Sequence, residues 1–152
     1  MTSNRTFAAL FLATGLILSG PALAYDVTSL ASPGGMQVEA WIEGDNRLVI
    51  GLIPNDGNKL NGQLGVAISA EASDAWNQDL PLVVTEDGDY FEFPFSETVS
   101  FDPDALSEPT ALSVEYGTCQ LAAAICVFEE TEVTVHPGED GAPWVSLSNV
   151  MP

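Results

Sequence analysis

Three side chains in this sequence stand out for nucleophilic, redox or proton-transfer chemistry: Cys119, Cys126 and His136, the two cysteines and the one histidine of the chain. A single histidine cannot build a multi-histidine metal site. His136 closes an expected strand, which suits a solvated or hydrogen-bonded ring. Either cysteine could in principle pair with His136 as an activated nucleophile. Two thiols without a nearby histidine form an incomplete site for most metal ions. The sequence contains no glycine-rich phosphate loop and no nucleophile elbow. With 22 Asp and Glu present, any particular pair of carboxylates carries little weight as a glycosidase signal. Neither a cofactor nor a metal site is expected, and the chemistry narrows to the two cysteines.

What two cysteines do depends on the compartment they occupy. The chain opens with Arg5, an apolar run from Phe7 to Leu18, the breaker Ser19-Gly20-Pro21 and the small-residue triplet Ala22-Leu23-Ala24. That is the layout of a cleavable signal peptide over residues 1–24, with cleavage after Ala24. The apolar run is shorter than the roughly 20 residues a spanning helix needs. No cysteine lies at the cleavage site for lipid attachment, and no later segment is apolar enough to span a membrane. The expectation is an exported, periplasmic, soluble product in a compartment where a disulfide can form and persist.

Residues 25–152 have the length of one ordinary domain. They retain Arg47 and Lys59 against all the acidic residues, a net charge of about −20. Such a surface disfavours nucleic acid and anionic lipid as partners. The acidity is dispersed along the chain, which fits solubility better than a dedicated cation-binding surface.

The elements that must position the cysteines read as short strands. Met36 to Ile42, Arg47 to Ile53, Leu64 to Ala70, Pro81 to Val84, Tyr90 to Phe95, Thr98 to Phe101, Ala111 to Tyr116 and Thr131 to His136 are rich in β-formers and separated by turn residues. No sustained helical period runs over three turns, although Glu71 to Trp76 and Leu121 to Ile125 could each make one. The expected architecture is a single all-β domain, an antiparallel β-sandwich. The Gly-, Pro- and Ser-rich tail from Pro137 is expected to be partly extended, anchored by Trp144 and Val145.

Six residues separate Cys119 from Cys126, enough for a strand to turn back and bring the sulfurs within bonding distance. In an exported chain the two are expected to bond to each other rather than to pair with His136. Such a bond has two readings. As a structural staple, the small ring would contribute about 2.5 kcal/mol through loop-closure entropy, within a binding or assembly protein that is not an enzyme. As a redox-active pair, it would exchange electrons with partner thiols.

The stretch Val114-Glu115-Tyr116-Gly117-Thr118-Cys119, the second cysteine Cys126, and Glu130-Thr131 leading into an apolar strand together resemble the amino-terminal periplasmic domain of the thiol:disulfide interchange protein DsbD family. Phe128 stands where that family has an aromatic residue after the second cysteine. The strand pattern supports the resemblance over most of residues 25–152. The loop here is one residue longer, and the family's prolines are replaced around Phe128-Glu129. The family's aromatic cap loop has no secure counterpart, with Tyr90, Phe91 and Phe93 as candidates.

The resemblance implies an immunoglobulin-like sandwich in which Cys119 and Cys126 cycle between disulfide and dithiol. Cys126 would form the mixed disulfide with a partner and Cys119 would resolve it. The chain lacks the family's membrane-embedded and thioredoxin-like domains, so partners carrying those functions would be separate proteins. Glu129 and Glu130, close in sequence to Cys126, are expected to raise its thiol pKa by like-charge repulsion.

Overall fold

The computed structural model describes residues 25–150. The expected signal peptide and its cleavage site lie outside the described residues. Every regular element described is a strand: Thr28–Ala31 (β1), Met36–Glu43 (β2), Arg47–Pro54 (β3), Asn58–Leu60 (β4), Val66–Ala70 (β5), Leu82–Val84 (β6), Phe95–Ser100 (β7), Thr110–Gln120 (β8), Ile125–His136 (β9) and Trp144–Asn149 (β10).

Alternation of side chains decides how these strands pack. Met36, Val38 and Ala40 of β2 are fully buried, while Gln37 and Glu39 between them and Trp41 after them are partly exposed. That is the period of two expected of a strand with one wet face. Leu112, Val114 and Tyr116 of β8 and Thr131, Val133 and Val135 of β9 repeat the pattern. Two antiparallel sheets result, one ordered β1-β2-β3-β7 and the other β10-β9-β8-β5-β6, with β4 joining β8 beyond the end of β5. Their apolar faces share one core, whose larger members include Met36, Ile50, Leu52, Ile68, Phe101 and Tyr116.

The connectivity is a Greek key of the immunoglobulin-like kind. After β3 the chain crosses to form β4, β5 and β6, returns for β7 beside β3, and crosses again so that β8 lies beside β5. The single antiparallel β-sandwich expected from the sequence is the fold observed.

Several boundaries differ from the sequence expectation. Tyr90 to Phe95 is not a strand: Tyr90 makes an isolated bridge to Asn61, and the strand begins only at Phe95 and runs to Ser100. Pro94 explains the delay, since proline cannot donate to a ladder. Glu71 to Trp76 forms no helical turn; Trp76 bridges Phe101 and packs edge-on against its ring. Leu121 to Ile125 is the tip of the β8–β9 hairpin, with Ile125 already paired to Gln120. The tail is more regular than expected, because β10 pairs with β9 from Trp144↔His136 to Asn149↔Thr131. Val145 anchors it in the core, whereas Trp144 stays half exposed and stacks on the His136 ring at 3.8 Å between centroids. His136 is hydrogen-bonded as expected, its Nε2 lying 2.8 Å from Ser146 Oγ.

Tyr116 is the largest fully buried side chain, and its hydroxyl pairs with Thr131 Oγ1 at 3.1 Å. Burial pushes its pKa above 10.0; hydrogen bonds to Thr131 and Ser32 oppose the shift, and the Glu129 carboxylate adds to it. A raised folded-state value favours the neutral phenol. Its contribution to stability is therefore complete below the ordinary tyrosine pKa and is lost as pH rises through the folded value. Tyr116→Phe should cost about 1 kcal/mol at neutral pH through the lost hydrogen bond. It should also flatten the fall in urea midpoint between about pH 9 and 11.

Candidate functional site

The cysteines sit at the end of the longest hairpin. β8 and β9 pair over eleven consecutive positions, and Cys119 lies directly opposite Cys126, one pair short of the Gln120↔Ile125 closure. The tip is Leu121-Ala122-Ala123-Ala124, with Ala124 in the left-handed region at φ 51°. The tip is held down by the Leu121 N–H, which donates to Gly57 O at 3.1 Å. The two sulfurs are bonded across the strands, with 3.9 Å between the Cα atoms, closer than the roughly 4.5 Å of an ordinary non-hydrogen-bonded cross-strand pair.

The two cysteines face very different surroundings, and sheet topology is the reason. At Cys119, β8 is flanked on one side by β9 and on the other by β4, through Lys59↔Cys119. Among the described residues β9 at Cys126 has β8 on one side and no strand on the other: β10 pairs with β9 as far as Thr131, and the last bond runs from the Val150 N–H to Glu130 O. Cys119 is accordingly 2% exposed, and Cys126 lies exposed on an open edge.

Both side chains point away from the core, as their alternation with the buried Thr118 and Tyr116 requires. The cover over them comes from the connection between β4 and β5. Asn61 Nδ2 donates to Cys119 Sγ at 3.5 Å and lies 3.9 Å from Cys126 Sγ. Three further bonds fix Asn61. Its N–H donates to Gly117 O at 2.8 Å, its side-chain oxygen accepts from the Leu64 N–H at 2.8 Å, and its carbonyl accepts from the Gly65 N–H at 3.2 Å. This connection can lie flat on β8 because position 117 is glycine. A Cβ there would stand 2.9 Å from Leu64 Cδ1 and 3.2 Å from Asn61 Cβ.

The three candidates for an aromatic cap separate clearly. Phe91 is buried, edge-on to Phe95 at 5.9 Å, and belongs to the core. Tyr90 bridges to Asn61 and is 40% exposed, and Phe93 is 71% exposed. None of the three has a hydrogen bond to either sulfur; that place is taken by Asn61, which sequence reasoning missed. The turn dipeptide Asn61-Gly62 was its one signal, and it gave no hint of which way the amide would face. Phe128, 75% exposed, shares the outer face with Cys126 and lies opposite Gly117.

The two glutamates expected to repel a Cys126 thiolate have other roles. Glu129 faces the opposite side of β9, where its carboxylate accepts from Ser32 Oγ at 2.8 Å, the Gly34 N–H at 2.7 Å and Thr118 Oγ1 at 2.7 Å. It ties the β1–β2 turn of one sheet to β8 and β9 of the other. Glu130 shares the outer face with Cys126 but stands four residues along the strand and accepts from Ser113 Oγ at 2.6 Å. His136 lies ten residues beyond Cys126 along β9, engaged with Ser146 and Trp144, so the site contains no cysteine–histidine pair.

Among the described residues no group of three or more His, Cys, Asp or Glu could hold a metal ion, and no helix is long and apolar enough to cross a membrane. The arrangement can do one kind of chemistry directly. An incoming thiolate can reach the exposed sulfur of a disulfide whose other sulfur is enclosed. Comparison with protein-family models, curated proteins and solved structures finds no match for this chain, so its function rests on the geometry of this site.

Proposed function

We propose that this chain is a thiol:disulfide interchange module of an exported compartment, a DsbD amino-terminal-like domain relaying reducing equivalents through Cys119 and Cys126. The observation that carries the reading is the asymmetry of the pair: Cys126 exposed on an open edge, Cys119 enclosed between β4 and β9. A partner thiolate attacks Cys126 Sγ, the bond to Cys119 breaks, and Cys119 leaves as a thiolate. The resulting mixed disulfide is resolved by a second thiol of the partner, which leaves this chain as a dithiol. In the reverse direction Cys119 attacks Cys126 Sγ and expels the partner. No cofactor enters either direction.

The hairpin also supports reversible opening. Eleven residue pairs and a tethered tip hold β8 against β9 whether or not the sulfurs are joined. The ring closed by the bond is short, so on the chain-entropy model opening it costs about 2.5 kcal/mol, below the roughly 5–15 kcal/mol by which a folded domain is usually stable. A disulfide whose loss unfolded the domain would suit the alternative, a binding or assembly protein with a structural bond. The partners are thioredoxin-like or membrane-embedded exchange proteins, for which Phe128, on the same face of β9, offers an exposed apolar contact beside Cys126.

The test is a trapping experiment with the oxidised protein. A reduced thioredoxin-like donor lacking its resolving cysteine should give a covalent one-to-one adduct, and peptide mapping should place the linkage on Cys126. Absence of an adduct, or a linkage divided between the two cysteines, would overturn the proposal.

A further inference from the structure

Against its many carboxylates this domain holds two strongly basic side chains, and they are placed very differently. Arg47 pairs with Glu43 at 2.8 Å across the β2–β3 turn. Lys59 makes no ion pair among the described residues and stands directly opposite Cys119 in the β4–β8 ladder. Directly opposed residues share a face, with Cβ atoms about 5 Å apart. Lys59, Cys119 and Cys126 therefore form one row across three strands on the outer face. Asn61, two residues further along the chain, aims its amide N–H at the same sulfur.

We infer that Lys59 and Asn61 hold Cys119 as the thiolate of the reduced pair. This rests on the interchange reading, which makes Cys119 the sulfur that must leave when the disulfide is opened and attack when it is reformed. Burial alone disfavours a thiolate; an N–H donor at the sulfur and a positive charge carried on the directly opposed residue of the next strand favour one. A thiol with a lower pKa leaves faster, so the assignment supplies what an enclosed leaving sulfur lacks.

The charged groups on every packed element bear on this. β4 contributes Lys59. β8 contributes Glu115 and β9 contributes Glu130, each four residues from its own cysteine and about 13 Å away along the strand, beyond the Debye length of about 10 Å at 0.1 M salt. Asp89 of the neighbouring loop is bonded to Gln63, and Asp56, ahead of β4, is exposed to solvent. Lys59 and Asn61 are positioning residues acting through Cys119, and neither touches the partner's sulfur.

The titration of Cys119 tests this, read by ultraviolet thiolate absorbance in the full chain carrying Cys126→Ser, where Cys119 is the sole thiol. Lys59→Met and Asn61→Ala should each raise the midpoint by about half a pKa unit, and Lys59→Arg should restore it. With both cysteines present, Lys59→Met should slow the opening of the disulfide by dithiothreitol about twofold. Midpoints unmoved in Lys59→Met and Asn61→Ala alike would overturn the inference. The titration is independent of the relay itself. A chain that titrates as expected but never forms an adduct with a dithiol protein overturns the interchange reading and keeps the thiolate assignment.

Discussion

Replacing Cys126 by serine should abolish thiol exchange, while replacing Cys119 should arrest it halfway. The difference follows from exposure. With Cys126→Ser no disulfide remains for a partner thiolate to attack, and the one remaining sulfur, enclosed between β4 and β9 beneath Asn61, cannot reach the disulfide of an oxidised partner. Exchange with a thioredoxin-like dithiol should fall to the rate of a cysteine-free control. With Cys119→Ser the exposed Cys126 thiolate still attacks the disulfide of an oxidised partner and forms a mixed disulfide. Nothing within the chain can expel the partner, so the adduct is reopened only by the partner's own second thiol or by added thiol and is detectable where Cys126→Ser gives none. Non-reducing electrophoresis with thiol labelling distinguishes the two outcomes. Equal behaviour of the two variants would contradict the division of labour between the cysteines.

The largest effect on stability should come from Glu129, which touches neither sulfur. Its carboxylate accepts from Ser32 Oγ, Thr118 Oγ1 and the Gly34 N–H, joining the two sheets at the end of the sandwich that carries the hairpin tip. Thr118 is fully buried and Ser32 nearly so, and water cannot readily replace the lost acceptor. Hydrogen bonds to a charged group contribute more than neutral ones, and a donor stranded in the interior is costly. Glu129→Ala should destabilise the domain by about 2–4 kcal/mol, measured by urea unfolding with the disulfide intact. Glu129→Gln keeps one acceptor oxygen and the side-chain volume, and should cost less. If Glu129→Ala unfolds at the parent urea concentration, the carboxylate is not a tie between the sheets.

These two expectations show where sequence reasoning reached and where it stopped. Strands whose alternation is clean, such as Met36 to Ile42 and Arg47 to Ile53, were legible because the period of two reports directly which face is buried. The cysteines were legible because there are only two of them and their separation suits a hairpin. Short strands were not: β4 spans three residues, Asn58–Leu60, and no periodicity can be read from three. β10 was hidden in a tail rich in Gly, Pro and Ser, where pairing with β9 overrides weak local preference.

The site's second layer was invisible for a related reason. Lys59, Asn61 and Gly117 meet the cysteines only through the register of β4 against β8, which a single sequence does not reveal. Glu129 illustrates the same limit in the opposite sense. Three residues from Cys126 in sequence, it nonetheless faces the other side of the sheet, since neighbouring positions of opposite parity in a strand never share a face. Proximity in sequence suggested repulsion of a thiolate, and strand geometry makes Glu129 a structural tie.

The reduction potential of the Cys119–Cys126 pair tests the central claim most directly. The protein would be equilibrated in a glutathione or dithiothreitol redox series, with the thiol fraction read by labelling and the fold by circular dichroism in both states. The interchange account predicts a potential of roughly −180 to −270 mV, the range of proteins that exchange electrons through paired cysteines, with the sandwich intact after reduction. A potential below about −300 mV, or loss of the fold on reduction, would mark the bond as a structural staple and contradict the account.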